Sequence, residues 1–287
     1  MSLILLADAG STKTDWSLIS LKTSEIVRFR SEGINPLQIS SKIIEDIISE
    51  IKAKIGHEAV TKIYFFGAGC VSEKEKSQIG GILKKIWPGA ESKVESDIIA
   101  ACIALFGYDE GIACIMGTGS NTCFFKNGQI INKIPSLGYI LGDEGSGASL
   151  GKRLINSIYK KQLPETVVNL FQSAYSYSPE EIIQKVYKEQ SSAAFLASFS
   201  PFILQNIRED ALKALVISEF ENFYEKNVKP YKLDKNIKIG FIGSVAWNFK
   251  DILLSVIENE GYKDISFLQC PMPMLEKYFL KETLKDT

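Results

Sequence analysis

The sequence predicts an α/β protein made of two halves that repeat one order of elements. Three observations predict it. Short apolar or alternating runs give way to helical periodicity and then to single strands alternating with helices. That order, β-β-β-α-β-α-β-α, occurs twice along the 287 residues. The first turn of each half carries the same chemistry, Ala9-Gly10-Ser11 in one and Thr118-Gly119-Ser120 in the other. Two α/β halves are expected to leave a cleft between them, a common place for ligands.

In the first half, residues 3–8, 15–21 and 25–30 read as strands of a meander. Ile43, Ile44, Ile47, Ile48, Ile51 and Ile55 recur at helical spacing behind Ser40-Ser41. KIYFFGAG, 62–69, reads as a buried strand. Ser72 and Glu75 form a capping box ahead of Ile79, Ile82, Leu83 and Ile86. SKVES is a strand, and DIIAACIALF, 97–106, is a helix. The order then restarts with strands at 112–117, 121–126 and 129–134. A helix follows from about Ser146 to Tyr159, then a long helical stretch over 164–228, in which Ser178-Pro179-Glu180-Glu181 is a helix start. KIGFIGSV, 238–245, matches KIYFFGAG. A helix to Glu260, the strand ISFLQ and an amphipathic helix from Pro271 complete the set. The expected domains are 1–110, joined by the C-terminal helix 271–287, and 111–270 with the helical insert.

Composition narrows the chemistry. The chain is 45% hydrophobic and 23% charged, with a formal charge of −1. That balance gives no electrostatic reason to expect nucleic acid or an anionic membrane as partner. The five cysteines form no CxxC pair, and most sit in apolar runs, as buried structural thiols of a reducing compartment do. The opening apolar run, Leu3 to Ala7, is too short for a signal peptide. The longest uninterrupted one, Ile98 to Phe106, is far short of a membrane span. The expected location is the cytoplasm. The single histidine, His57, stands in a polar connection and is expected at the surface. Histidine-based triads and zinc sites are thereby excluded, and acid–base work falls to carboxylates, lysines or hydroxyls.

The Gly-rich turns are not standard phosphate motifs. Gly147 to Arg153 has one residue too few for a P-loop and lacks its Ser or Thr. Gly117-Thr118-Gly119-Ser120-Asn121-Thr122 lacks the third glycine of a dinucleotide fingerprint. What remains is a strand-to-strand turn used twice. Its backbone N–H groups and hydroxyls suit phosphate oxygens, although such turns are also ordinary hairpins. Asp8 shifts that balance. A carboxylate closing a buried strand needs solvent, a partner or a cation, and Mg²⁺ with a polyphosphate supplies the last.

The segments DAGSTKTDW, SDIIAA, MGTGSN, LGDEGSG and GFIGSVAW run from residue 8 to 247. In order and context they resemble the N-acetylglucosamine kinase family, which sits with the BadF/BadG-type ATPases in the sugar kinase, actin and heat-shock chaperone superfamily. The resemblance implies duplicated ribonuclease H-like (actin-like ATPase) domains around a central cleft. It implies ATP-dependent phosphorylation of an amino sugar, N-acetylglucosamine at the 6-hydroxyl first, with ATP and Mg²⁺. Asp97 becomes the general base, although a helix-capping role fits it equally. Gly10, Ser11, Thr12 and Lys13 become the first phosphate loop. Gly117, Thr118, Gly119 and Ser120 become the second. Gly243 and Ser244 match the adenosine motif. Asn35, Gly67 and Asp143, with Glu144 as a substitute, match sugar-binding positions. Asp8 becomes the Mg²⁺ residue, directly or through water. Asn35 before Pro36 and Asp143 before a helix are also plain turn formers. GAGC, 67–70, departs from the Ser or acidic residues of relatives and leaves the sugar open: glucosamine or a muramic-acid sugar would fit the same residues. The C-terminal helix is expected to pack on the first half and act at its hinge. A homodimer is compatible with the resemblance, but no residue indicates one. Two other functions stay open: an ATPase activator of a 2-hydroxyacyl-CoA dehydratase type system, and a non-catalytic sugar sensor.

Overall fold

The computed structural model describes residues 3–56, 59–188 and 192–285. His57 lies outside the described residues. The elements of the first half are β1 (Leu3–Ala9), β2 (Lys13–Ser20), β3 (Ile26–Glu32), α1 (Ser41–Ile55), β4 (Val60–Gly67), α2 (Glu73–Ile86), β5 (Glu91–Ser96) and α3 (Asp97–Phe106). Next come β6 (Gly111–Met116), β7 (Ser120–Lys126), β8 (Gln129–Ile134), α4 (Gly138–Leu141) and α5 (Gly147–Tyr159). The helical insert holds α6 (Glu165–Ala174), α7 (Pro179–Tyr187), α8 (Ser192–Ala197), α9 (Ser200–Gln205) and α10 (Asp210–Phe223). The chain closes with β9 (Ile239–Ile242), α11 (Ser244–Asn248), α12 (Lys250–Asn259), β10 (Ile265–Leu268) and α13 (Met272–Lys285). It divides into two units, Met1–Gly107 with Pro271–Thr287, and Tyr108–Cys270.

Each unit holds one five-stranded sheet. The orders are β3-β2-β1-β4-β5 and β10-β9-β6-β7-β8. Counted from its own first strand, each sheet runs 3-2-1-4-5. The first three strands are antiparallel and the last two run parallel to the first. This is the topology of a duplicated ribonuclease H-like α/β protein.

In the first unit β1 is central and sandwiched between helical layers. Leu3, Leu5, Ala7 and Ala9 join the core made with α1 and α2, where Ile44, Ile48, Ile51, Ile79 and Leu83 are buried. Ile4 and Leu6 face the other way, onto Ala100 of α3 and Met272, Leu275 and Phe279 of α13. Alternation of side chains along a strand produces the two faces. The Ser72–Glu75 capping box forms as expected. α13 is pinned by Glu276, whose buried carboxylate accepts from Ser17 Oγ at 2.8 Å and from Arg28 Nε and Nη2 at 2.8 and 2.6 Å. Arg28→Ala takes both guanidinium bonds away from that buried charge. We expect a loss of roughly 1–3 kcal/mol in urea denaturation; an unchanged midpoint would contradict the pinning role.

The 164–228 stretch falls into separate helices, with the expected start at Ser178-Pro179 opening α7, followed by a π-helical turn at Tyr224–Val228. Pro179 and Pro201 each sit in the first turn of a new helix, where a missing N–H costs nothing. KIGFIGSV is a strand only over Ile239–Ile242, because Gly243 turns the chain and α11 begins at Ser244.

Candidate active site

Asp8 belongs by alternation to the face of β1 that packs on α3, the face of Ile4 and Leu6. Asp97 is the first residue of α3, directly after β5. β1, β4 and β5 are parallel, so both carboxylates come to the carboxyl end of the sheet. Ser96, not Asp97, is the N-cap, and it makes no side-chain capping bond. Asp97 Oδ1 accepts from Ile98 N at 2.9 Å, which aims the carboxylate from the helix start.

The electrostatics of this end are unbalanced. Burial first, then the neighbouring charges of Asp97 and Asp15, push Asp8 from 3.8 up to about 7, while Lys13 opposes them. Lys13 offsets them only in part, and its ammonium sits 2.6 Å from Asp15 Oδ2. Arg30 holds the other oxygen of Asp15 at 2.8 Å. Asp15 is thereby kept below its usual range; burial alone would raise it, but the hydrogen bonds from Lys13 and Arg30 outweigh that. In the second unit the positions across the hairpin from one another are Ile115 and Asn121, where the first unit has Asp8 and Asp15. The duplicated frame carries the carboxylates once.

The first loop is a tight turn in which Gly10 N donates to Lys13 O at 2.9 Å. Ser11 and Thr12 at its tip are exposed. Asn35 is buried, and its carboxamide is committed within the protein: Nδ2 donates to Ser11 Oγ at 2.8 Å, and Oδ1 accepts from Leu37 N at 3.0 Å. Sequence reasoning offered sugar ligand or turn former; the structure adds a bond to Ser11 of the first loop. Gly67 is buried at the end of β4 with Phe65 and Cys70 against it, and solvent reaches Ala68 and Gly69 instead. Cys70 is also buried, and burial followed by the Asp97 charge pushes its thiol up to about 12. None of the five cysteines forms a disulfide.

The second loop is built into α5. Gly147 N and Ala148 N, at the helix start, donate to the carbonyls of Gly117 and Thr118 at 2.8 and 3.0 Å. Asp143 lies over this loop, so close that a methyl group on Gly119 would stand 2.8 Å from its Oδ2. Its backbone is left-handed, with φ 55°, a conformation that Asp tolerates and that tends to collect at functional sites. Burial raises its pKa, against the Ser120 N–H that favours the ionised form. Gly243, with φ 120°, abuts the same loop; a methyl group there would lie 2.4 Å from the Met116 carbonyl oxygen. Ser244 beside it is exposed. Glu144 does not duplicate Asp143. Its carboxylate is taken by Lys226 Nζ and Asn227 Nδ2, both at 3.1 Å, while its carbonyl accepts from Ser120 Oγ at 2.7 Å.

One supporting residue escaped the sequence reading. Glu219, 1% exposed, accepts from Gly145 N at 2.7 Å and from Arg153 Nη1 at 2.9 Å, and so holds the GDEGSG turn. The signal was present: Leu212, Leu215, Val216, Phe220 and Phe223 form the buried stripe of α10, and Glu219 stands among them. Among the described residues, no group of three or more His, Cys, Asp or Glu side chains could hold a metal by itself, and no helix is long and apolar enough to cross a membrane.

No family model matches the chain. It is 24% identical over 213 residues to the N-acetylmuramic acid/N-acetylglucosamine kinase of Clostridium acetobutylicum, covering 70% of this chain and 69% of that one. Among solved structures it is similar to a candidate N-acetylglucosamine kinase from Chromobacterium violaceum, with a TM-score of 0.69, 16% identity, and 97% and 98% of the two chains covered. A candidate N-acetylglucosamine kinase from Porphyromonas gingivalis superimposes with a TM-score of 0.92 at 40% identity, over 98% of this chain and 99% of that one. The chain therefore belongs to the N-acetylglucosamine kinase family.

Proposed function

We propose that this protein transfers the γ-phosphoryl group of ATP to a hydroxyl of an amino sugar, converting N-acetylglucosamine to its 6-phosphate. The observation that carries this reading is the 40% identity to a candidate kinase of that sugar, sustained over 98% of the chain. The half-buried Asp97 at a helix start, beside a second carboxylate, supports it.

In the proposed reaction Asp97 accepts the proton of the attacking hydroxyl. The sugar oxygen bonds to the γ-phosphorus, the bond from that phosphorus to the β–γ bridging oxygen breaks, and ADP leaves with the electron pair. Positioning and charge neutralisation carry most of such a transfer. The nucleotide residues are proposed to be Gly10, Ser11, Thr12 and Lys13 of the first unit, and Gly117, Thr118, Gly119, Ser120, Gly243 and Ser244 of the second. Thr12 and Ser11 have hydroxyls at the surface to offer; Lys13 must exchange Asp15 for phosphate to take part. Asp143 and Asn35 are the proposed sugar residues. Glu144 supports the second loop through Ser120 instead.

A divalent cation fits the first unit. Burial and the charges of Asp97 and Asp15 all disfavour the Asp8 carboxylate, and Lys13 offsets them only in part, so a cation beside Asp8 would be favoured. Mg²⁺ arriving with ATP would neutralise phosphate charge, held by Asp8 directly or through water. Because no cluster of three ligating side chains stands among the described residues, the nucleotide and water would supply most of its ligands.

The test is ADP release with Mg-ATP against N-acetylglucosamine, glucosamine, N-acetylmannosamine, N-acetylmuramic acid, glucose and no sugar. We expect release to require N-acetylglucosamine. Release that ignores every sugar would replace the kinase by an ATPase.

A further inference from the structure

We infer that Asn35 is a positioning residue for the first phosphate loop, and that the segment from Gly33 to Leu37 sets where that loop stands. The inference rests on the reading that Gly10 to Lys13 takes nucleotide phosphate. Its grounds are three contacts around one point. Asn35 Nδ2 donates to Ser11 Oγ at 2.8 Å. A methyl group on Gly33 would lie 2.3 Å from the Ser11 carbonyl oxygen and 2.7 Å from that of Gly10, so the chain leaving β3 rests directly on the hairpin tip. On the far side, a methyl group on Gly69 would lie 2.1 Å from Asn35 Oδ1, which closes the space behind the carboxamide.

The carboxamide has no freedom to turn over. Leu37 N donates to Oδ1 at 3.0 Å, so the oxygen must face Leu37 and the amide nitrogen must face Ser11. Ser11 Oγ therefore acts as acceptor inside the protein. Its own proton is left to donate outward from the exposed tip, which is the polarity a phosphate oxygen requires. Without Asn35 the hydroxyl can turn inward or rotate freely, and the loop loses a donor fixed in advance. A side chain assigned to the sugar by resemblance thus also fixes the nucleotide loop.

The test is calorimetric affinity for Mg-ADP with no sugar present. Asn35→Ala should weaken binding by about three- to tenfold, the loss of roughly one hydrogen bond. Gly33→Ala should weaken it at least as much, although no Gly33 side chain exists to touch a sugar. Ser11→Ala combined with Asn35→Ala should bind no more weakly than Ser11→Ala alone, because both remove one unit. If Gly33→Ala fails to fold, the Ser11 and Asn35 pair carries the test. Affinity of Asn35→Ala equal to wild type, with only the KM for sugar raised, overturns the inference and leaves the kinase reading intact. No Mg-ADP binding by the wild type overturns the nucleotide reading itself.

Discussion

Asp97→Asn should lower kcat by about 10²–10⁴-fold, the usual worth of a positioned general base. The substitution preserves the local geometry of the helix start. Asp97 Oδ1 accepts from Ile98 N, and an asparagine oxygen can accept the same bond. The helix behind it is fixed by packing: Ala100 of α3 lies in one core with Leu275 and Phe279 of α13. The variant should therefore melt no lower than wild type, since it also removes a charge that crowds Asp8, and should keep its KM values while losing turnover. Steady-state kinetics beside a melting curve check this. Activity within about threefold of wild type, far short of the loss of a base, would remove Asp97 from that role and leave it as a helix-start residue.

Asp8→Asn should oppose stability to function. In metal-free protein the Asp8 carboxyl is raised from 3.8 to about 7, chiefly by burial. The sign follows from linkage. The unfolded chain releases this proton near 3.8 and the folded chain holds it to about 7, so the contribution to stability is full below the first value and is lost as pH rises through the second. The difference between the two values corresponds to at most about 4 kcal/mol. Asparagine does not titrate. In the presence of chelator the variant should gain on wild type between about pH 4 and pH 7, then hold a constant advantage above. Its Mg-ATP-dependent turnover should fall sharply. Denaturation midpoints across this range check the first effect, and equal stability differences at its acid and alkaline ends would show that Asp8 carries no such burden.

Much of the fold could be read because its signals are local. Turn residues, periodicity and the Ser72–Glu75 box each act within a few residues, and the repeated order of elements follows from them. Asp8 was visible as a carboxylate closing an apolar strand. Its nearness to Asp97 was not, because it depends on β1, β4 and β5 lying side by side, which no single segment states. Asn35 was read as a ligand or a turn former; its bond to Ser11 depends on the chain doubling back over the hairpin tip. The helix start at Ser178-Pro179 was legible from its local capping residues; the break at Pro201 was not, because helical periodicity survives a proline in the first turn of a new helix. Glu219 and Glu276 show what a closer reading could have found. Both stand in helices among buried apolar residues, and a charge in such a stripe signals a buried partner.

A kinase makes one demand above the others: the phosphoryl group must end on the sugar. Phosphorus NMR of wild-type protein with Mg-ATP and N-acetylglucosamine follows that atom directly. The proposed reaction predicts ADP and a sugar 6-phosphate resonance growing together, and both growing about 10²–10⁴-fold more slowly with Asp97→Asn. ADP accompanied by inorganic phosphate alone would contradict it.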